Sequence, residues 1–163
     1  MGQITSISDK GVQLITYYET GNNLAKYLKA YKCPAGVWTI GIGTTIYPNG
    51  KRVMDGDVIT ADQANAYFMN DVQKLIQTVD SYTPDAISQS QFDSLISFAY
   101  NEGASALKGS TLLKKLNANL NDPAIQQEFE KWNIGGGKVL EGLVRRRKSE
   151  AWLYFNGELK YDF

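Results

Sequence analysis

The 163-residue sequence has no histidine, one cysteine, four prolines and no surplus of charge of either sign. Without histidine there is no imidazole for a Ser–His–Asp arrangement and no His ligand for a catalytic zinc. Acid–base chemistry must then rest on carboxylates, Tyr, Lys or Cys. The lone Cys33 excludes a disulfide within the chain. Seventeen basic residues balance seventeen acidic ones, which removes the electrostatic case for a nucleic-acid partner. No apolar run approaches the ~20 residues that span a bilayer, so stable membrane insertion is not expected. The opening MGQITSISDKGVQ lacks the basic-then-apolar pattern of a secretory signal peptide. Synthesis in a cytoplasm is the expectation.

A hydrophobic content of 43% in a chain this long suffices for a core without disulfide or metal staples. Val12, Ile15 and Tyr18 recur at helical spacing after Ser8, a candidate cap, and predict a first helix to about Glu19. From Val37 the period changes to two. Trp38, Ile40, Ile42 and Ile46 share one face, Val37, Thr39, Gly41 and Gly43 the other, and Pro48-Asn49-Gly50 signals a turn before Lys51-Arg52-Val53 returns. The remainder reads as helical. Thr60 and Gln63 form a capping box for a long helix carrying Ala64, Phe68, Val72, Ile76 and Val79. Ser90 and Asp93 are read as caps of a helix closing near Gly103, and Ser110 opens another. Asp122-Pro123 starts a helix that Gly135-Gly136-Gly137 ends, and a final helix stops near Gly157. The fold class is α+β, mostly helical: a small N-terminal antiparallel sheet lobe over about residues 12–58, a linking helix over about 60–80, and a larger C-terminal helical lobe over about 81–163 joined by the N-terminal segment.

Between Asp9 and Asp55 the only acidic residue is Glu19. At a helix end beside Tyr17 and Tyr18, its carboxyl is either a solvated surface group or a general acid raised by partial desolvation. Cys33 is either a small buried hydrophobe or an active-site thiol. Thr39 is a good strand former whose hydroxyl can also position a water. The bare face at Gly41 and Gly43 points to close approach by a ligand or another backbone. Gly41-Ile42-Gly43 lacks the third glycine of a dinucleotide fingerprint, and Gly135-Gly136-Gly137-Lys138 lacks the Ser or Thr of a phosphate loop. Arg145-Arg146-Arg147 reads as a charged helix face.

Taken in order, Ile7-Ser8, Gly11, Leu14-Ile15 and Glu19, the stretch Leu28–Gly43 (LKAYKCPAGVWTIGIG), Ile59-Thr60 with Gln63-Ala64, Gln91-Phe92-Asp93, Ser97–Gly103 (SFAYNEG), Ser110, Leu112-Leu113, Trp132, Gly136-Gly137-Lys138, Gly142-Leu143 and Arg145-Arg146-Arg147 resemble the phage-type lysozymes, glycoside hydrolase family 24. The resemblance implies a lysozyme-like fold and a catalytic set of Glu, then Asp or Cys, then Thr, here Glu19, Cys33 and Thr39. Thr39 follows Cys33 at the family's spacing. Thirteen residues separate Glu19 from Cys33 where the family usually has eight, which implies a five-residue insertion around Thr20 to Lys26. Thr44 stands where family members usually carry His.

The implied reaction is hydrolysis of the β-1,4 bond between N-acetylmuramic acid and N-acetylglucosamine, by inversion. Glu19 is the acid, and Cys33 and Thr39 hold or activate water. Gly41 and Gly43 on the sheet, and Tyr100, Asn101 and Thr111 on the helical side, are the expected substrate contacts. The implied setting is a phage or prophage endolysin: a monomer, made in the host cytoplasm and admitted by a holin to the wall. The competing reading is a catalytically silent glycan-binding or phage-structural domain of the same fold.

Overall fold

In the computed structural model residues 4–163 are described, so the first three residues of the opening segment lie outside the description. The chain forms two compact units. One comprises residues 16–73 and the other residues up to 15 together with 74–163. Both divisions fall inside helices, α1 (Asp9–Thr20) and α2 (Ala61–Tyr82). Among the described residues no helix is long and apolar enough to cross a membrane.

In the smaller unit, α1 gives way at Gly21 and Asn22, both at φ 60°, to a 3₁₀ turn over Leu24–Tyr27. Glu19 lies in the last turn of α1, before this segment. Strands β1 (Tyr31–Lys32) and β2 (Trp38–Thr39) pair antiparallel, Tyr31 opposite Thr39. Pro34 at the second position of the intervening turn and Gly36 at φ 80° close it, with Gly36 N–H donating to the Cys33 carbonyl at 2.8 Å.

The expected long strand through Gly43 is interrupted. Ile40 bridges Thr44 across a tight turn in which Gly41 and Gly43 take φ 63° and 76°, values that favour glycine over any side chain. The bareness of Gly41 is filled from within: a Cβ there would lie 3.0 Å from the Ala64 Cβ. The predicted return beyond Pro48-Asn49-Gly50 is present only as an Ile46–Arg52 bridge. Ala30, Ile40, Val53, Ile59 and Ala64 form the core of this unit, with Trp38, Tyr47 and Tyr67 packed against it. The Thr60–Gln63 capping box is formed in both directions, at 2.9 and 3.1 Å.

The larger unit is helical: α3 (Gln89–Glu102), α4 (Ala104–Lys108), α5 (Thr111–Ala118), α6 (Ile125–Glu130) and α7 (Glu141–Asn156). Phe92, Leu95, Ile96 and Phe98 of α3 are buried with Phe129 of α6 and Leu153 of α7, and Phe98 meets Phe129 and Trp132 edge to face. The cap of α3 is Ser88, in a capping box with Gln91, and not Ser90 with Asp93. Asp93 is buried and accepts instead from the Ser8 hydroxyl and from Gln89. Ser110 caps α5 as expected. The glycine run does not simply end a helix. Gly136 and Gly137, at φ 59° and 82°, form the turn of a second hairpin, β3 (Ile134–Gly135) with β4 (Lys138–Val139), the conformation that two-residue hairpin loops require.

Arg146 and Arg147 are not a solvated face. They are 3% and 0% exposed and converge on the fully buried Glu150, with N–O separations of 3.3 and 3.0 Å. Ser97 Oγ donates to Glu150 at 2.5 Å, and Arg146 donates to the Ser97 carbonyl at 3.0 Å. Glu102 lies at the edge of this cluster, 3.8 Å from Arg147. Burial, the largest influence, raises the Glu102 carboxyl above its ordinary range; Arg147 opposes this and Glu150 adds to it. A raised folded value contributes stability that is complete below the unfolded Glu value, about pH 4.3, and is lost as pH rises through the folded value. Glu102→Gln should therefore melt higher than the parent at pH 7, and the gain should vanish below about pH 4. Thermal melts at both pH values check this, and an equal difference at both would contradict it.

Candidate active site

Three of the predicted residues, Glu19, Cys33 and Thr39, belong to the smaller unit. Glu19 is partly exposed in the last turn of α1. Cys33 is a free, partly exposed thiol just beyond β1. Thr39 in β2 is 4% exposed. The Val37 carbonyl ties the last two together, accepting from the Cys33 backbone N–H at 3.0 Å and from the Thr39 hydroxyl at 2.9 Å. With its proton so committed, the Thr39 oxygen is left to accept a hydrogen bond, the role needed to hold a water.

Tyr31 links these groups, and the sequence reading missed it. It stands directly across the ladder from Thr39, so the pair shares one face of the hairpin, and Cys33 follows two residues further along the chain. Its ring packs against Tyr27 at 4.9 Å between centroids. Burial first, then electrostatic repulsion from the neighbouring Glu19, Tyr27 and Cys33 side chains, pushes its phenol well above the ordinary tyrosine range. It therefore stays a neutral hydroxyl, able to donate, and it lies within electrostatic reach of both Glu19 and Cys33. The alternation through Tyr31, Cys33 and, across the turn, Thr39 was the available signal.

The arrangement is one carboxyl, one thiol and two hydroxyls on a small hairpin and the helix end beside it. That set can donate a proton and hold a water without metal or imidazole. The family model described as phage lysozyme matches residues 25–150. The chain belongs to the phage lysozyme family. It is 42% identical to an endolysin of Bacillus phage B103 over 95% of its own length and 56% of the relative's. It thus spans just over half the length of the two Bacillus phage endolysins it matches. The endolysin of Escherichia coli O157:H7 phage FAHEc1 superposes with a TM-score of 0.85 at 34% identity, covering 98% of this chain and 99% of that one. The muramidase domain of SpmX from Asticaccaulis excentricus gives a TM-score of 0.76 at 30% identity, covering 94% and 99%.

The other predicted contacts of this phage lysozyme family member divide. Gly41 and Gly43 lie in the smaller unit at the tight turn, Gly41 against Ala64. Tyr100, Asn101 and Thr111 belong to the larger unit. The exposed Asn101 accepts from Arg147 at 2.6 Å through its side-chain oxygen, so the buried cluster holds its side chain and leaves its NH₂ out of that bond. Thr111 is exposed at the first position of α5.

Proposed function

We propose that the chain is a peptidoglycan hydrolase of the endolysin type that cuts the β-1,4 bond between N-acetylmuramic acid and N-acetylglucosamine. The observation that carries this reading is the placement of Glu19, Tyr31, Cys33 and Thr39 in one unit of a chain whose family is that of the phage lysozymes. In the proposed reaction the protonated Glu19 donates to the leaving glycosidic oxygen as positive charge develops on the sugar ring. A water held by the Thr39 oxygen and the Cys33 sulfur attacks the opposite face, giving inversion, and releases its proton to solvent, from which Glu19 is reprotonated. Two-carboxylate inverting enzymes leave about 6.5–9.5 Å between their groups for such a water; here a thiol replaces the second carboxylate. Tyr31, neutral throughout, orients the groups on either side of it. Asn101, Tyr100 and Thr111 are the proposed glycan contacts of the helical unit, with Gly43 on the sheet side. The protein works as a monomer on the cell wall, reaching it after cytoplasmic synthesis through a holin.

The Cys33 sulfur helps to hold the attacking water in this reaction. Cys33→Ala should lower the rate of clearing of purified walls several-fold without changing the melting temperature. Equal rates for variant and parent would remove Cys33 from the mechanism. The function itself is tested by following turbidity of a purified peptidoglycan suspension. Clearing with release of soluble fragments supports the hydrolase. Binding to the wall with no fall in turbidity would favour the silent glycan-binding reading.

A further inference from the structure

An open groove of about 450 Å³ lies in the smaller unit, lined among others by Tyr47, Asn49, Asp57, Val58, Gln63 and Tyr67. It includes none of Glu19, Cys33 and Thr39, and nothing in the proposed reaction uses it. Its volume falls in the range of small-molecule sites, about 300–1,000 Å³.

The polar groups of the groove are set by local structure. The Asn49 side-chain oxygen accepts from the Lys51 N–H at 2.9 Å, and the Gln63 oxygen accepts from Thr60 N–H in the capping box. With both oxygens tied to backbone, each side-chain NH₂ is held in a fixed direction and has no protein partner among the described residues. One Asp57 oxygen accepts from both the Tyr47 hydroxyl at 2.8 Å and the Met54 N–H at 3.0 Å, leaving the other oxygen to accept from a ligand. These two bonds, the backbone one first, hold the Asp57 carboxyl below its ordinary range, so it is ionised at neutral pH. Burial and the same hydrogen bond push the Tyr47 phenol up to about 12, so it stays neutral. Tyr47 and Tyr67 meet edge to face, centroids 5.4 Å apart. Val58, 70% exposed, adds an apolar wall.

Two fixed amide donors, one carboxylate acceptor and aromatic surface match a pyranose ring, whose hydroxyls need both donors and acceptors and whose C–H faces pack on aromatics. The acetamido carbonyl of an N-acetylated sugar is the natural acceptor for an amide NH₂. The lining carries no Lys or Arg and one negative charge, which disfavours an acidic peptide such as a wall stem peptide.

We propose that this groove is a second saccharide site, separate from the hydrolytic set, that binds uncharged N-acetylglucosamine-type sugar of a glycan strand. The proposal rests on the reading of the chain as a glycan-acting protein, but its test does not depend on hydrolysis. The full chain carrying Glu19→Gln is titrated with the N-acetylglucosamine trimer and followed by amide NMR. Saturable shifts at residues 47–50 and 57–63 are expected. Asn49→Asp and Gln63→Glu keep the oxygens that hold the turn and the cap but remove the NH₂ donors. Each should weaken binding at this site about tenfold, or roughly 1.4 kcal/mol, with an unchanged melting temperature. Three results would overturn the proposal: trimer shifts only around Glu19, Cys33 and Thr39; unchanged affinity in both variants; or saturation of the groove by a free stem peptide and not by the trimer. If the groove binds the trimer while the parent leaves peptidoglycan intact, the site stands and the hydrolase reading fails.

Discussion

Glu19→Gln should lower the rate of peptidoglycan clearing by about 10²–10⁴-fold, the usual contribution of a positioned general acid, without changing the melting temperature. Gln has nearly the shape of Glu but no proton to give the glycosidic oxygen. Glu19 is the only carboxylate between Asp9 and Asp55, so no neighbour in the hairpin segment takes over. It is partly exposed at the end of α1, where an isosteric change costs little stability. The measurement pairs turbidity rates with a thermal melt of each protein. A variant that folds and clears walls within a factor of about three of the parent's rate would assign the proton to another group.

Glu150→Ala should cause the largest loss of stability, about 3–5 kcal/mol, because it strands buried charge. It leaves the guanidiniums of Arg146 and Arg147, 3% and 0% exposed, without the carboxylate they share. Glu102, 3.8 Å from Arg147, replaces little of that interaction. At ~2–4 °C per kcal/mol for a chain of this size, the melting temperature should fall by about 10 °C. The exposed pair Arg145–Glu141, 3.5 Å apart on the same helix, is the control. Arg145→Ala should shift stability by less than about 1 kcal/mol. Equal effects of the two substitutions would show that burial does not set the energetics of the cluster. Because Arg147 also holds Asn101 at 2.6 Å, Glu150→Ala should in addition loosen that side chain.

The elements legible from sequence were those with local causes. The Thr60–Gln63 box, Ser110 before α5 and Gly157 after α7 are each settled by hydrogen bonds within a few residues, and periodicity placed the helices between them. The misread features have distant causes or degenerate signals. Asp93 looks like a capping partner for Ser90, but Ser8, 85 residues away, takes it. A glycine run ends a helix or turns a hairpin equally well, and only the pairing of Ile134 with Val139 decides. Three consecutive arginines read as solvated until Glu150, one turn further along α7, is seen to be buried with two of them.

At the candidate site the resemblance supplied Glu19, Cys33 and Thr39, while composition alone left each with an ordinary structural role. Tyr31 escaped notice because a tyrosine on a strand is unremarkable by itself. Its register opposite Thr39 and the nearness of Glu19 and Cys33 are what single it out. The groove at Tyr47 and Tyr67 was invisible for a related reason: its amides matter through what their oxygens bind, which sequence does not state.

The central claim, that the chain is a muramidase, is tested most directly by mass analysis of muropeptides released from purified peptidoglycan. The predicted result is fragments ending in reducing N-acetylmuramic acid with the parent protein, and none with Glu19→Gln. Fragments ending in reducing N-acetylglucosamine, or severed stem peptides with intact glycan, would contradict it.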